Sequence, residues 1–183
     1  MRTYKVNNIK VSFKLEERRE LERIATLRQF ARDSQAVSKI SGNFFVLRDD
    51  FVYVIFYTGH VNCMKLKTPE DVELSKEFLK ITFPSYCVSE AVVDNIVASG
   101  CLPQLERLNL FNWSTYLSRH RVAHHFNPQL FPGLCVKFGG VTFICFTSAK
   151  YIAVGSKSHA DLQREYDAFY DRVTEFKNEL QVA

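Results

Sequence analysis

Two parts of this chain repeat one another. Val52-Tyr53-Val54-Ile55-Phe56-Tyr57-Thr58-Gly59-His60 lines up with Thr142–Lys150, so that Phe56 falls on Phe146, and further on Lys67 falls on Lys157. Both offsets are 90 residues, and Asn8-Ile9 aligns with Asn95-Ile96 at an offset of 87. Each copy reads as a strand, an amphipathic helix, three strands and a second amphipathic helix. A period this long, present only twice, marks a duplicated half-domain and not a solenoid. We place the halves at 1–83 and 84–183, with Phe83-Pro84-Ser85 as the connection.

The second copy is the more legible. Asn127-Pro128-Gln129-Leu130-Phe131 forms a Pro-bearing turn, and a strand follows at Leu134–Phe138. Gly139-Gly140 then makes a hairpin turn into a strand at Val141–Thr147. Ser148-Ala149-Lys150 turns into a third strand, Tyr151–Val154. In the middle strand, alternation puts Phe143 and Cys145 on one face and Ile144 and Phe146 on the other. An antiparallel sheet covered on one side is normally polar on the other. Here both sides are apolar, so the second side is expected to cover something as well.

In the first copy, Ile9, Val11 and Phe13 alternate with Lys10, Ser12 and Lys14 as a strand. Glu16 to Asp33 reads as a helix from the spacing of Leu21, Ile24, Leu27 and Ala31. Strands follow at Phe44–Arg48 and Phe51–Tyr57. Thr68-Pro69-Glu70-Asp71 is a strong helix start, with a capping hydroxyl, proline in the first turn and acidic residues at the positive end. In the second copy Val92–Ser99 is a strand, and Pro103 is expected to start a helix carrying Leu105 and Leu108. Asn109–His125, with the single tryptophan Trp113 and Arg119-His120-Arg121, reads equally as a helix extension or a loop. After Ser158 as cap, Leu162, Tyr166, Phe169, Val173, Phe176 and Leu180 form one apolar stripe on a closing helix that packs on the sheet.

A net charge of +4 permits a nucleic-acid face without requiring one. The five cysteines include no C-x-x-C pair, and no apolar run approaches 18 residues, which fits a reduced intracellular setting with no membrane span. No phosphate loop, nucleophile elbow or zinc-and-base histidine motif is present, so no enzyme, metal or cofactor is expected. His120 and His124 have a spacing that on one helix could hold a metal, but surface histidines are the commoner outcome.

Phe131-Pro132-Gly133-Leu134, the strand and turn Ile144-Cys145-Phe146-x-Ser148-x-Lys150, and Gly155-Ser156-Lys157 resemble the second repeat of the TATA-box-binding protein family. Asn8-Ile9, Leu21-x-x-Ile24-Ala25 and Val54-Ile55-Phe56-x-x-Gly59 resemble its first repeat, so the resemblance spans about Asn8 to Phe176. It implies an α+β saddle, with two pseudo-symmetric halves sharing one curved antiparallel sheet of ten strands and four helices on the convex side. It also implies a transcription initiation factor in the nucleus, or in a viral replication compartment, acting as a monomer on double-stranded, AT-rich promoter DNA. Family members lie in the minor groove, kink the duplex by about 80° and wedge apolar side chains between base steps.

The resemblance carries over residue by residue. Phe131 and Phe146 match one wedge pair, and Phe56 matches half of the other, whose partner falls near Ile40. Asn8 and Asn95 match the asparagines that donate to base edges near the centre. Val97 matches the apolar floor, where the first copy has Lys10. Lys67, Lys157, Lys137 and Arg48 match positions beside phosphates. The departures mark a divergent member. Met64 and Val154 replace two threonines, Lys65 replaces a glycine, and Asn127 and Gln129 replace the acidic pair that meets the factor bridging to polymerase. General transcription factors or polymerase subunits, either shared or specific to a lineage, are therefore expected at Asn127, Gln129, Trp113, Arg119 and Arg121. A second reading is a protein-interaction module that keeps the fold and has lost DNA binding.

Overall fold

The computed structural model describes residues 4–16, 37–40, 43–48, 50–56, 58–102 and 105–182. The helix expected over Glu16 to Asp33 falls outside these residues beyond its first position. The chain forms two compact units, Asn8–Asp94 and Asn95–Ala183, the latter joined by the N-terminal residues through Asn7. The boundary therefore falls after Asp94 and not at Phe83. Residues 84–94 stay with the first unit because they pair back onto its opening strand. Val88 sits opposite Leu15, and the Ser89 amide donates to the Lys14 carbonyl at 3.0 Å.

In the Asn8–Asp94 unit, the strands are β1 (Lys5–Glu16), β2 (Val37–Ile40), β3 (Asn43–Arg48), β4 (Phe51–Phe56) and β5 (His60–Leu66). They pair antiparallel in the order β2-β3-β4-β5-β1, with the two-residue β6 (Cys87–Val88) at the end of β1. The helix α1 (Pro69–Thr82) starts where the sequence placed it. Thr68 accepts from the Asp71 amide while Asp71 accepts from the Thr68 amide, a reciprocal capping box. Its Leu79, with Phe83 beyond its end, is fully buried, and Phe78 packs 4.8 Å from the Tyr53 ring.

In the second unit, β7 (Val92–Cys101, of which Val92–Asp94 belong to the first unit), β8 (His124–His125), β9 (Leu134–Phe138), β10 (Val141–Cys145) and β11 (Lys150–Ser156) pair antiparallel in the order β7-β11-β10-β9-β8. Two helices, α2 (Leu110–Arg119) and α3 (His159–Val182), belong to it. Leu162, Tyr166, Phe169, Val173 and Phe176 of α3 are buried, and Phe169 stacks on Phe143 of β10 with ring centroids 4.2 Å apart. Burying each such ring contributes roughly 1.5–3 kcal/mol. Leu180, expected at the end of the stripe, is half exposed.

The expected helix from Pro103, which itself lies outside the described residues, is corrected from Leu105 on. Leu108 is buried, but its amide donates to the Thr147 carbonyl at 3.0 Å, which a residue inside a helix could not do. The helix begins at Leu110, where the Asn109 carboxamide caps the amides of Phe111 and Asn112. Because α2 ends at Arg119, His120 and His124 do not share a helix face.

The duplication survives in the hydrogen bonds. The Gly59 amide donates to the Phe56 carbonyl at 2.9 Å, and the Ala149 amide to the Phe146 carbonyl at 3.0 Å. The Leu15 amide donates to the Gly59 carbonyl and the Leu102 amide to the Ala149 carbonyl, both at 2.8 Å. Gly59 and Ala149 both have positive φ, 85° and 56°. The turn after each phenylalanine is thus one device used twice.

Candidate nucleic-acid interface

In the second unit, α3 covers one face of the sheet and leaves the other open. Burial alternates strictly. Val141, Phe143 and Cys145 are buried, whereas Thr142, Ile144 and Phe146 are partly exposed. On β11, Tyr151 and Ala153 are buried between half-exposed Ile152 and Val154. Register sets the open residues in rows. Cys135, Ile144, Ile152 and Ser99 face one another across four strands, with Lys137, Thr142 and Val154 beside them. Val97, half buried, continues the face on β7. The result is an apolar floor edged by exposed Lys137, Lys150 and Lys157.

Phe131 and Phe146 stand on that floor, edge to face at 6.2 Å between centroids. The turn that presents Phe131 is tied by Asn127, whose carboxamide oxygen accepts from the Gln129 amide and whose carbonyl accepts from Leu130 and Phe131. Gly133 is what lets the rings lie down. A methyl there would sit 2.6 Å from the Phe131 ring and 2.9 Å from Ile144. A shallow groove of about 520 Å³ runs beside Phe146 over Ser99 and Ile152.

Asn95 and Asn8 are held in the same way. The Asn95 carboxamide oxygen accepts from the Gly155 amide at 2.8 Å, and that of Asn8 from the Lys65 amide at 2.6 Å. Gly155 and Lys65 share a positive φ, 99° and 70°, at the bulge where each strand leaves its partner. With the oxygen used by the fold, each carboxamide keeps its NH2 group for an outside acceptor.

The open face of the first unit is less apolar. Phe45, Val54, Asn62 and Ser12 lie in register across four strands, grading from aromatic to polar. Phe56, Val52 and Met64 are half buried on the same face, and Lys67 is exposed beyond it. Ile40, the expected second wedge, lies in β2 beside Asn43, but its side chain is outside the described residues. Lys10 stands where Val97 stands in the other copy, and its ammonium lies 3.3 Å from Asp94. Ser12 also donates to Asp94, at 3.2 Å. Sequence reasoning missed this carboxylate, because simple alternation along β7 groups Asp94 with buried Ile96.

Two expectations are corrected here. Arg48 lies over the Phe78 ring at 5.4 Å, on the face covered by α1, so it does not edge the open face. Trp113 is fully buried, stacked on Tyr116 at 5.5 Å and against Phe176 at 4.9 Å, so it offers no surface to a partner. Arg119 is exposed and ion-paired with Glu179 at 3.2 Å, and Arg121 and Gln129 are exposed. Burial beside Trp113 raises the Cys145 thiol far above its ordinary range, and in the first unit the separate burial of Cys63 pushes its thiol up to about 12. Neither thiol is a nucleophile. His124 is occupied on both ring nitrogens, by Ser114 at 3.0 Å and the Val122 carbonyl at 2.9 Å.

Comparison with known proteins gives this fold a family. The family model described as transcription factor TFIID (or TATA-binding protein, TBP) matches residues 90–176. The chain is 30% identical to the TATA-box-binding protein of Thermoplasma volcanium, over 96% of this chain and 93% of that one. It is 27% identical to TATA-box-binding protein 1 of Methanosarcina acetivorans, over 87% and 88%. Among solved structures, Methanococcus jannaschii TBP superposes with a TM-score of 0.71 at 24% identity, covering 94% of this chain and 98% of that one, so the α+β fold is shared. With a relative this similar aligned over nearly its whole length, the chain belongs to the TATA-box-binding protein family.

Proposed function

We propose that the two open sheet faces are the DNA-contacting surface of this family member, and that the second unit drives the sharper deformation of the duplex. As a member of its family the chain is a DNA-binding transcription initiation factor whose work is binding rather than catalysis. The observation that carries the assignment of the surface is the Phe131–Phe146 pair. Two large rings stand together on an apolar sheet face whose opposite face is already filled by α3. Rings left partly uncovered in this way gain burial by entering a base step, which offsets the few kcal/mol of unstacking.

The remaining residues suit a minor groove. Asn8 and Asn95 offer NH2 donors to an edge that presents only acceptors at A·T pairs. Lys67, Lys137 and Lys157 stand where they neutralise phosphates, which makes affinity fall with salt. Phe56 supplies a single described wedge to the first unit. The alternative of a module without DNA binding is less favoured, since the wedge pair and both asparagines are retained. For protein partners, Asn127 and Gln129 offer no charge, so a basic partner surface would associate slowly and with little electrostatic selectivity. Arg119 and Arg121 remain exposed for a dedicated partner.

The test is duplex bending by energy transfer between end labels, with AT-rich and random duplexes across a salt series. Bending of AT-rich duplexes that weakens linearly in log salt is expected. Failure to bind or bend any duplex at low salt would overturn the reading.

A further inference from the structure

The two units present different chemistry where their sequences should be equivalent. In the second unit the floor beside Asn95 is Val97, Ile152 and Val154. In the first, the floor beside Asn8 is Lys10, Ser12 and the Asp94 carboxylate that both of them hold. Lys10 and Ser12 lie on the half-exposed face of β1, opposite to fully buried Ile9, Val11 and Phe13. The Lys10 and Asp94 side chains are still 35% and 31% exposed, so the pair is reachable from outside.

Resting on the DNA-binding reading above, this polar floor must be desolvated when a groove closes over it. Ser12 and Lys10 each satisfy one oxygen of Asp94, and the remaining lone pairs of that carboxylate lose their water there, which is costly unless a donor replaces it. An A·T pair shows only acceptors in the minor groove and would face Asp94 with like partial charges. A G·C pair keeps those acceptors and adds one donor, the exocyclic amino group of guanine. Lys10 as donor beside Asp94 as acceptor is complementary to that edge and not to A·T. We propose that the Lys10–Asp94 pair recognises the guanine amino group in the minor groove, so that the first unit selects a G·C pair within its part of the site.

The discriminating experiment edits only that amino group. Starting from an AT-rich duplex that the 183-residue chain binds, each base pair is replaced singly by G·C, by inosine·C, which lacks the amino group, and by diaminopurine·T, which adds it to an A·T frame. Competition binding should show one or two adjacent positions where G·C and diaminopurine·T bind about tenfold tighter than inosine·C and A·T. Asp94→Ala should flatten that preference, with a melting curve confirming the fold; the wild-type series decides the matter even where that variant fails to fold. The proposal is overturned if the amino-bearing pairs are nowhere preferred, or if a folded Asp94→Ala keeps the preference. Binding that ignores the amino group leaves the DNA reading standing, whereas no binding to any duplex removes both.

Discussion

Phe131 and Phe146 meet edge to face, at 65° between ring planes, although one comes from a turn and the other from the end of β10. Each supports the other's exposure, since the flank of one ring shields the flank of its partner. Removing either should therefore disable bending with little loss of stability. For Phe131→Ala and Phe146→Ala we expect no measurable bending by energy transfer. Stability should fall by about 1 kcal/mol or less, below the roughly 3–5 kcal/mol of a core phenylalanine. A collapse in the melting temperature of Phe146→Ala would mean that the ring is core.

Asn95 separates two roles that alanine would confuse. Its oxygen accepts the Gly155 amide, and its nitrogen is left for the groove. Asn95→Asp keeps the first and deletes the second, placing a carboxylate against acceptors. The expected outcome is an unchanged circular dichroism spectrum with DNA affinity lower by about tenfold or more. Equal affinity would show that the donor is unused.

Much of this was legible because strands alternate with period two. Phe143 against Phe146, and Ile9 against Lys10, fell on the right faces from spacing alone. The terminal helix was legible from its stripe, and α1 from its cap. What failed did so for local physical reasons. Pro103 with Leu105 and Leu108 imitates a helix start, yet the described residues from Leu105 to Asn109 are not helical, and Leu108 pairs with Thr147. The true start was signalled by Asn109, with Trp113, Tyr116 and Leu117 at helical spacing, all of them buried. Asp94 was missed because alternation groups it with buried Ile96, and because its partners Lys10 and Ser12 are more than 80 residues away in sequence.

Lys65 carries a backbone cost that its counterpart avoids. Its φ of 70° is left-handed, and Gly155 holds that conformation in the other unit. A left-handed residue with a side chain costs about 1–2 kcal/mol, partly offset by the greater freedom that glycine loses on folding. Lys65→Gly should stabilise the protein by about 0.5–1 kcal/mol in urea unfolding. Gly155→Lys should do the reverse, because its new Cβ would also lie 2.9 Å from the Gly140 carbonyl. A neutral Lys65→Gly would point to compensation by the Asn8 bond.

Asp161 ties α3 to acid stability. Its carboxylate accepts from the Ser158 hydroxyl at 2.7 Å and from Arg164 at 2.8 Å, which together hold its pKa below the usual value. With the folded pKa depressed, the stabilisation is complete above the unfolded value of about 3.9 and is lost as pH falls through the folded one. Asp161→Asn should melt below wild type at pH 7, and the two should converge as the solution is acidified past pH 4. A constant gap down to pH 2 would assign the effect to something other than the charge.

Trp113 tests the difference between a hidden anchor and a surface contact. Its ring fills the space between Tyr116 and Phe176 and lies beside Cys145, with no exposed area. Truncation there removes a large buried surface and leaves a cavity that α3 cannot follow into without breaking its own stack on Phe143. Trp113→Ala should cost about 3–5 kcal/mol in chemical unfolding. At temperatures where the variant remains folded, its DNA affinity and its binding to any protein partner should match wild type within about twofold, well under the tenfold that 1.4 kcal/mol represents. Arg121→Ala, on the exposed turn after α2, should do the opposite, leaving stability within about 0.5 kcal/mol of wild type while weakening a partner that docks there. Loss of partner binding in a stable, folded Trp113→Ala would return the tryptophan to the surface and overturn this assignment.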